Sequence, residues 1–429
     1  MAKKTYPQVE VTLEKIVGGG QTLGTLEDGR KVFVWGGLPD ETVRVQLTKK
    51  KSKYAEGVVV EVLKKNADRV APKDPDSFIS TSPWQLMSLE TENRYKAALI
   101  EEAFELHDIV LPNPIEVYSD GVEYGYRNKV EFSFWFDTDT NKLSLAFFRR
   151  GTHGKLPVNG TSLASNAINE KALSIVEVLN KLGIEGRALK TLLIRSDASG
   201  SVAWQLYVKD EDFDATGFMN AFNDAENGEV IYSNPQSPAS VITKRLTKQA
   251  VPLSDTILDV PFHYATEGFF QINLPVYEQA LKDMSQWIDK DKKTVDLYSG
   301  VGSVGLTIGG DDVTLVELNE HAVKEMKRNI KEHGKKATAV LAASEQALDY
   351  ITSDKTIIVD PPRAGLHDDV IWRLIDEKPQ RIIYLSCNPV TQARDVARLA
   401  KEYGIKMHRG YNFFPHTPHI EHLVVLDLY

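Results

Sequence analysis

One thiol and four carboxylates carry most of the chemistry available to this chain. Cys387 ends the apolar run RIIYLSC and is followed by Asn388 and Pro389, with a helical pattern starting directly after. A cysteine in an apolar run is usually a small buried hydrophobe. Here it shares its position, the carboxyl end of a strand, with Asp296, Glu317 and Asp360, and it lies beside a helix start that favours thiolate. A nucleophile is therefore the preferred reading. Glu421 opens the last apolar run, 34 residues after Cys387. Alone it is an ordinary strand-start charge, and beside a nucleophile it becomes a candidate general base.

Two further segments sit at strand ends of the same kind. In TVDLYSGVGSVGL, residues 294 to 306, a strand ends at Asp296 and runs through Gly300, Gly302 and Gly305 into a helix. Glycines let backbone approach a ligand closely, and the helix start offers free N–H groups. Glu317 ends the next strand, VTLVE, where a carboxylate accepts hydrogen bonds from ribose hydroxyls. The order D-x-x-x-G-x-G lacks the G-x-G-x-x-G of dinucleotide sites and resembles motif I of class I S-adenosylmethionine methyltransferases. In TIIVDPPRAGL, Pro361 and Pro362 stiffen the exit of a buried strand, so Asp360 and Arg363 are held at the sheet top. A merely rigid turn is the competing reading. Amino-group methyltransferases carry an aromatic residue after a related Pro-Pro, and Arg363 in that place points to different chemistry.

These residues need a scaffold. From residue 266 to 429, apolar runs alternate with amphipathic helices, which predicts a parallel sheet wrapped by helices, with ligands at the carboxyl ends of its strands. Residues 1 to 67 alternate short β-rich runs with turn signals, the spacing of a small β-barrel. Residues 68 to 265 form a mixed α+β central domain. It starts with a Pro-rich connector and a helix over 89 to 108. Hairpins follow from YRNKVEFSFWF with LSLAFFRR, from LKTLLIRSDASGSVAWQLYVKD, and from VIYSNPQ with SVITKRLT, interrupted by the helix AINEKALSIVEVLNKL. The fold class is thus multidomain α/β.

Composition narrows the function. With 429 residues and 42% hydrophobic content, the chain can bury a large core in two to four domains. A single cysteine excludes an intrachain disulfide and any metal site built from several thiolates, and it fits a reducing compartment. No run approaches the roughly 18 apolar residues of a membrane-spanning helix, so a soluble, cytoplasmic protein without a membrane partner is expected. The net charge of -9 hides an asymmetry, because residues 1 to 69 sum to +4 and the rest to -13. The first segment is a basic module. Lys49, Lys50, Lys51 and Lys53 read equally well as a solvated turn or as an RNA-binding loop.

Together, DLYSGVGSVG, IIVDPPRAGL, YLSCNP and HIEHLVVL resemble the RNA 5-methyluridine methyltransferase family, and the likeness extends upstream to GFFQIN, to YGYRNKVEFSF and to a barrel similar to the TRAM domain. The resemblance implies a class I Rossmann-like methyltransferase domain. It implies that Gln271, Tyr298, Glu317 and Asp360 contact S-adenosylmethionine, that Cys387 is the nucleophile and that Glu421 accepts the proton. Ser303 stands where relatives usually have Asn, so it is the weaker member of the cofactor set. Arg127, Lys129 and Arg363 are the implied substrate contacts, and Arg149 and Arg150 extend the basic hairpin. Many relatives hold a four-iron cluster on cysteines. This chain has SFISTSPWQL and GTSLAS there, so no iron–sulfur cluster and no other metal is expected, and packing near Trp84 should stabilise the region. The implied partner is RNA, with the barrel favouring 23S ribosomal RNA and the tRNA T-loop uridine as the alternative, on a monomeric enzyme. A non-catalytic RNA-binding or RNA-folding protein on a methyltransferase fold is the reading from another class.

Overall fold

The computed structural model describes residues 6–152, 154–222, 227–289 and 291–429. The N-terminal strands Gln8–Ile16, Thr22–Thr25, Lys31–Trp35, Thr42–Lys50 and Tyr54–Lys64 close into a barrel. Alternate residues point inward, so Val11 and Leu13, Val32 and Val34, and Val43, Val45 and Leu47 fill its interior. The barrel is tied to the connector. Trp84 Nε1 donates to the Gly20 carbonyl at 3.0 Å, Arg69 pairs with the buried Glu41 at 2.6 Å, and the Arg150 guanidinium lies 4.2 Å from the Trp35 ring centre.

The central sheet has seven strands, with the Lys129–Asp137 and Lys142–Phe148 hairpin joined to the Leu189–Ser196 and Val202–Val208 hairpin. Gly228–Tyr232 adds parallel to Val202–Val208 and pairs antiparallel with the short Lys244–Arg245 strand. Helix Asn166–Lys181 covers the sheet with Ile168, Ala172, Ile175 and Leu179, a 3.6-residue stripe. Where relatives are expected to carry cluster cysteines, polar side chains form a network instead. The Ser162 hydroxyl donates to Asp74 at 2.7 Å, and Gln85 Nε2 donates to Ser82 Oγ at 2.7 Å and to Asp74 at 3.1 Å. Apolar packing around Trp84, with Ile16, Leu38, Leu86 and Met87, lies beside it. The expected packing near Trp84 is thus present, and beside it hydroxyl, amide and carboxylate groups satisfy one another, as buried polar groups must.

The C-terminal sheet runs Lys336–Leu341, Asp312–Glu317, Lys293–Leu297, Lys355–Val359, Arg381–Ser386, Glu421–Leu428, Tyr403–Tyr411, Val117–Tyr118. The first five are parallel. The expectation of a wholly parallel sheet fails at Glu421–Leu428, which is antiparallel to both neighbours. That reversal brings its first residue, Glu421, to the edge where the parallel strands end. A second correction concerns the stretch before residue 120. Helix Leu89–Glu105 buries Ile100, Ala103 and Phe104 among Val295, Tyr384 and Leu426 of this sheet's core, and Val117–Tyr118 is its last strand. Both lie within the segment read as central domain, because an amphipathic pattern names a buried face without naming the sheet it covers.

Candidate functional site

The strand ends form one row. Leu297 pairs with Val316 and with Val359, so Tyr298, Glu317 and Asp360 are the next residues out on three adjacent strands. Ser386 pairs with His422, so Cys387 and Glu421 follow on neighbouring strands, facing each other across the sheet edge. Parallel strands meeting an antiparallel one thus bring together residues that lie 19 to 123 positions apart.

The loop after Lys293–Leu297 is shaped by left-handed residues: Tyr298 at φ 64°, Gly300 at 57° and Gly302 at 88°. A bulky residue rarely adopts that conformation, and where it persists the surroundings must hold it. Glu317 does part of this, accepting from the Gly300 N–H at 2.9 Å and the Asn319 N–H at 2.7 Å. Asp296 holds the other end, accepting from the Gly305 N–H at 2.9 Å. A side chain at Gly305 would meet Leu315 at 2.3 Å, so only glycine lets the helix start approach the strand this closely.

A cavity of about 630 Å³ opens here, lined by Tyr298, Glu317, Leu318, Ser344, Glu345 and His367 among others. Its size suits a nucleoside. It combines a ring face, a carboxylate at hydroxyl-binding position and, from the turn after the third strand, a hydroxyl and a second carboxylate. These residues fit the expected S-adenosylmethionine. Ser303 is the exception, since its hydroxyl is taken by the buried Tyr277 hydroxyl at 2.9 Å. Gln271 is buried, does not line this cavity, and has its backbone carbonyl accepting from Asn128 Nδ2 at 2.9 Å. Ser344, Glu345 and His367 were not singled out from sequence; the turn after ATAVL was the available signal for the first two and the end of DPPRAGL for His367.

Electrostatically the site is rich in carboxylates, two of which, Asp296 and Glu421, are buried. Burial, and then Asp360 and Glu317, push Asp296 up to about 8, and one of its oxygens is without a partner. Burial raises Asp360 to about 7. Glu421 is driven well up by burial and by Asp360, with Arg363 opposing. Cys387 is pushed up to about 12 by burial, then by Glu421 and Asp360, with Arg363 opposing. The helix start was expected to favour thiolate, and the surroundings of the thiol work against that. Arg363 acts in the expected direction, but desolvation and two carboxylates outweigh it, and the free protein holds a neutral thiol.

A stability test follows. Between pH 7 and 8 the unfolded chain has ionised its carboxylates, whereas the folded chain still binds protons at Asp296 and Asp360. Stability therefore falls as pH rises through this window. The unfolding midpoint of the ligand-free protein should drop from pH 7 to 8. Asp296→Asn, which keeps an acceptor for Gly305, should flatten the slope; equal slopes in both proteins would locate the titration elsewhere.

Two expected substrate contacts have other partners. Lys129 Nζ donates to the Glu267 and Gly268 carbonyls at 3.0 and 3.2 Å, and burial lowers it to about 8. Arg195 holds the same turn through Gly268 and Phe270 at 2.8 and 3.0 Å. Together they brace the segment carrying Gln271 and leave the Phe269 ring 73% exposed. Arg150 is likewise bound to the barrel junction, donating to Ser80 and covering Trp35. Register and burial decided this, and a count of cations shows neither. Arg127 has a buried Nε without a partner, while Arg363 is exposed and meets His419 at 3.1 Å. Lys50, Lys51 and Lys53 are exposed on the barrel, and Lys49 pairs with Glu56.

Comparisons with known proteins agree with this geometry. Residues 345–428 match the tRNA (Uracil-5-)-methyltransferase family and residues 7–60 the TRAM domain. An RNA methyltransferase of uncharacterised specificity from Nitratidesulfovibrio vulgaris is 26% identical over 98% of this chain and 96% of its own. The 23S rRNA (uracil(1939)-C(5))-methyltransferase of Shewanella baltica is 25% identical over 93% of this chain and 91% of its own. The tRNA (uracil-54, C5)-methyltransferase of Pyrococcus abyssi, solved with S-adenosyl-L-homocysteine, superposes with a TM-score of 0.78 at 22% identity, over 97% of this chain and all of that one. The barrel and the Rossmann-like domain are thus the expected folds. Among the described residues no helix is long and apolar enough to cross a membrane.

Proposed function

We propose, from the match of residues 345–428 to the tRNA (Uracil-5-)-methyltransferase family and of residues 7–60 to the TRAM domain, that the chain is an RNA uracil-5-methyltransferase that methylates carbon 5 of a loop uridine in 23S ribosomal RNA through a covalent adduct on Cys387. The observation that carries the covalent reading is the facing pair Cys387 and Glu421, with Asp360 and Arg363 at the same sheet edge. Carbon 5 of uracil is a poor nucleophile. Once the Cys387 thiol has given its proton to solvent, the thiolate adds to carbon 6 and makes the ring an enolate, whose carbon 5 can be alkylated. Bound in the cavity beside Tyr298 and Glu317, S-adenosylmethionine supplies the methyl group as an electrophilic sulfonium. Glu421 then takes the proton from carbon 5, and the bond between carbon 6 and sulfur breaks, returning the thiolate. Burial that raises a carboxylate's basicity suits this role. Arg363 acts on both Cys387 and Glu421 and favours the charged form of each.

A uracil inside folded RNA is stacked, and extruding it costs a few kcal/mol, least in loops. The exposed Phe269 ring offers a stacking face near Gln271, and the barrel lysines offer charge to the flanking backbone. The Shewanella baltica relative favours ribosomal RNA. The barrel itself does not separate the substrates, because the Pyrococcus abyssi enzyme, named for a tRNA uridine, superposes over its full length. We infer a cytoplasmic monomer, since both RNAs and a reduced thiol are found in that compartment. The test is to map 5-methyluridine in ribosomal and transfer RNA from cells with and without the gene. Loss confined to 23S ribosomal RNA is the expected result; loss at the tRNA T-loop would move the substrate, and no loss anywhere would favour a non-catalytic RNA-binding role.

A further inference from the structure

Arg363 is held from two sides. Its carbonyl accepts from Asn388 Nδ2 at 2.9 Å and from Thr391 Oγ1 at 3.2 Å, which fixes the backbone. Its guanidinium is on an exposed rim, where a long side chain would otherwise sample many rotamers. The contact that restrains it is with His419, at 3.1 Å between Nη2 and Nδ1. Nη2 also lies 3.4 Å from Nε2, and since a guanidinium has no acceptor, the ring nitrogen that takes the contact must offer its lone pair and the imidazole must be neutral.

The imidazole is built to stay in that state. Burial, and then Arg363, Lys96, Arg127 and Arg150, lower it to about 4. Its own position is fixed by an edge-to-face contact with Phe414 at 5.9 Å and by anchoring of the segment before it. Glu92 of the Leu89–Glu105 helix accepts from the His416 N–H at 2.8 Å and from Asn412 Nδ2 at 2.9 Å, and Lys96 donates to the Phe414 carbonyl at 3.2 Å. The buried Glu92–Lys96 pair thus pins the segment that ends in Glu421, and His419 passes that placement on to Arg363.

We propose that His419 is a positioning residue, a neutral imidazole that holds the Arg363 guanidinium on the side of Cys387 and Glu421 so that its charge favours the reactive thiolate. This rests on the reading of Cys387 as the nucleophile. The charged groups facing the thiol are Glu421 from the last strand and Asp360 and Arg363 from the turn after Lys355–Val359. Without the imidazole acceptor, the guanidinium moves away and the carboxylates act unopposed.

Cys387 is the chain's one thiol, so iodoacetamide alkylation of the full-length, ligand-free protein between pH 7 and 9.5 reports on it directly. His419→Phe, which keeps a ring but offers no acceptor, should slow alkylation roughly 5- to 10-fold at each pH, the size of a pKa rise approaching one unit. His419→Asn, which restores an acceptor, should recover most of the rate, and S-adenosylmethionine affinity should stay within about twofold. Arg363→Gln should slow alkylation at least as much, and the His419→Phe, Arg363→Gln double variant should match Arg363→Gln alone. His419→Met serves as a second apolar variant if the Phe variant fails to fold. Unchanged alkylation in the apolar variants, no rescue by Asn, or additive effects in the double variant would overturn the proposal. A failure of the nucleophile reading would look different: Cys387→Ala would still methylate RNA, whatever the alkylation series gave.

Discussion

Replacing Cys387 with alanine should reduce methyl transfer by roughly four orders of magnitude or more, the loss seen when a covalent nucleophile is removed from an otherwise intact site. The protein should still fold. The substitution removes one sulfur, and it relieves the thiol of two neighbouring carboxylates rather than stranding a charge. Cofactor affinity should be unchanged, because Cys387 does not line the cavity beside Tyr298 and Glu317. The decisive readout is covalent. RNA carrying 5-fluorouridine at the target has no carbon 5 proton to lose, so after methylation the adduct cannot eliminate. The parent protein should form a denaturation-resistant complex with it, and Cys387→Ala none. Activity above about one per cent of the parent's in the alanine variant would refute the nucleophile assignment.

Glu421→Gln should trap the adduct on ordinary RNA. The amide keeps the shape of the carboxylate but cannot take the carbon 5 proton, so turnover should fall by about 10²- to 10⁴-fold. The first half of the reaction should survive. Glu421 is one of the groups that push the Cys387 thiol up, so neutralising it lowers the cost of forming thiolate, and alkylation of the ligand-free variant should be faster than that of the parent. The pair of results is diagnostic: a faster thiol together with a stalled, methylated, protein-linked RNA. Freely dissociating, unmodified RNA would instead place Glu421 before the addition step. A slower thiol would contradict the electrostatic account of the site.

Much of this was legible without coordinates, for a reason rooted in local physics. Strand ends, glycine-rich turns and helix starts are encoded over a few residues, so Asp296, Glu317, Asp360 and Cys387 could each be assigned to a strand end from the pattern around it. The barrel was readable from its alternating runs, and the three hairpin pairings of the central sheet from their turns. The direction of the last strand was not readable. HLVVLDLY has the same apolar signature whether parallel or antiparallel, and only its pairing with Arg381–Ser386 and Tyr403–Tyr411 shows why Glu421 reaches the site at its first residue.

Charge was the least legible quantity. Lys129 and Arg150 read from sequence as cations free to meet RNA, yet one is spent on the carbonyls of a turn and the other on a tryptophan ring and the barrel junction. Cys387 read as a nucleophile beside a thiolate-favouring helix start, yet its proton affinity is raised by burial and by carboxylates from other strands, which no local pattern shows. The amino-acid sequence by itself determined which residue types stand at the strand ends and hence the class of reaction. Only the tertiary structure decided which of them face one another, which charges are consumed by the fold, and that His419 meets Arg363, since register, burial and desolvation arise from contacts between segments far apart in the chain.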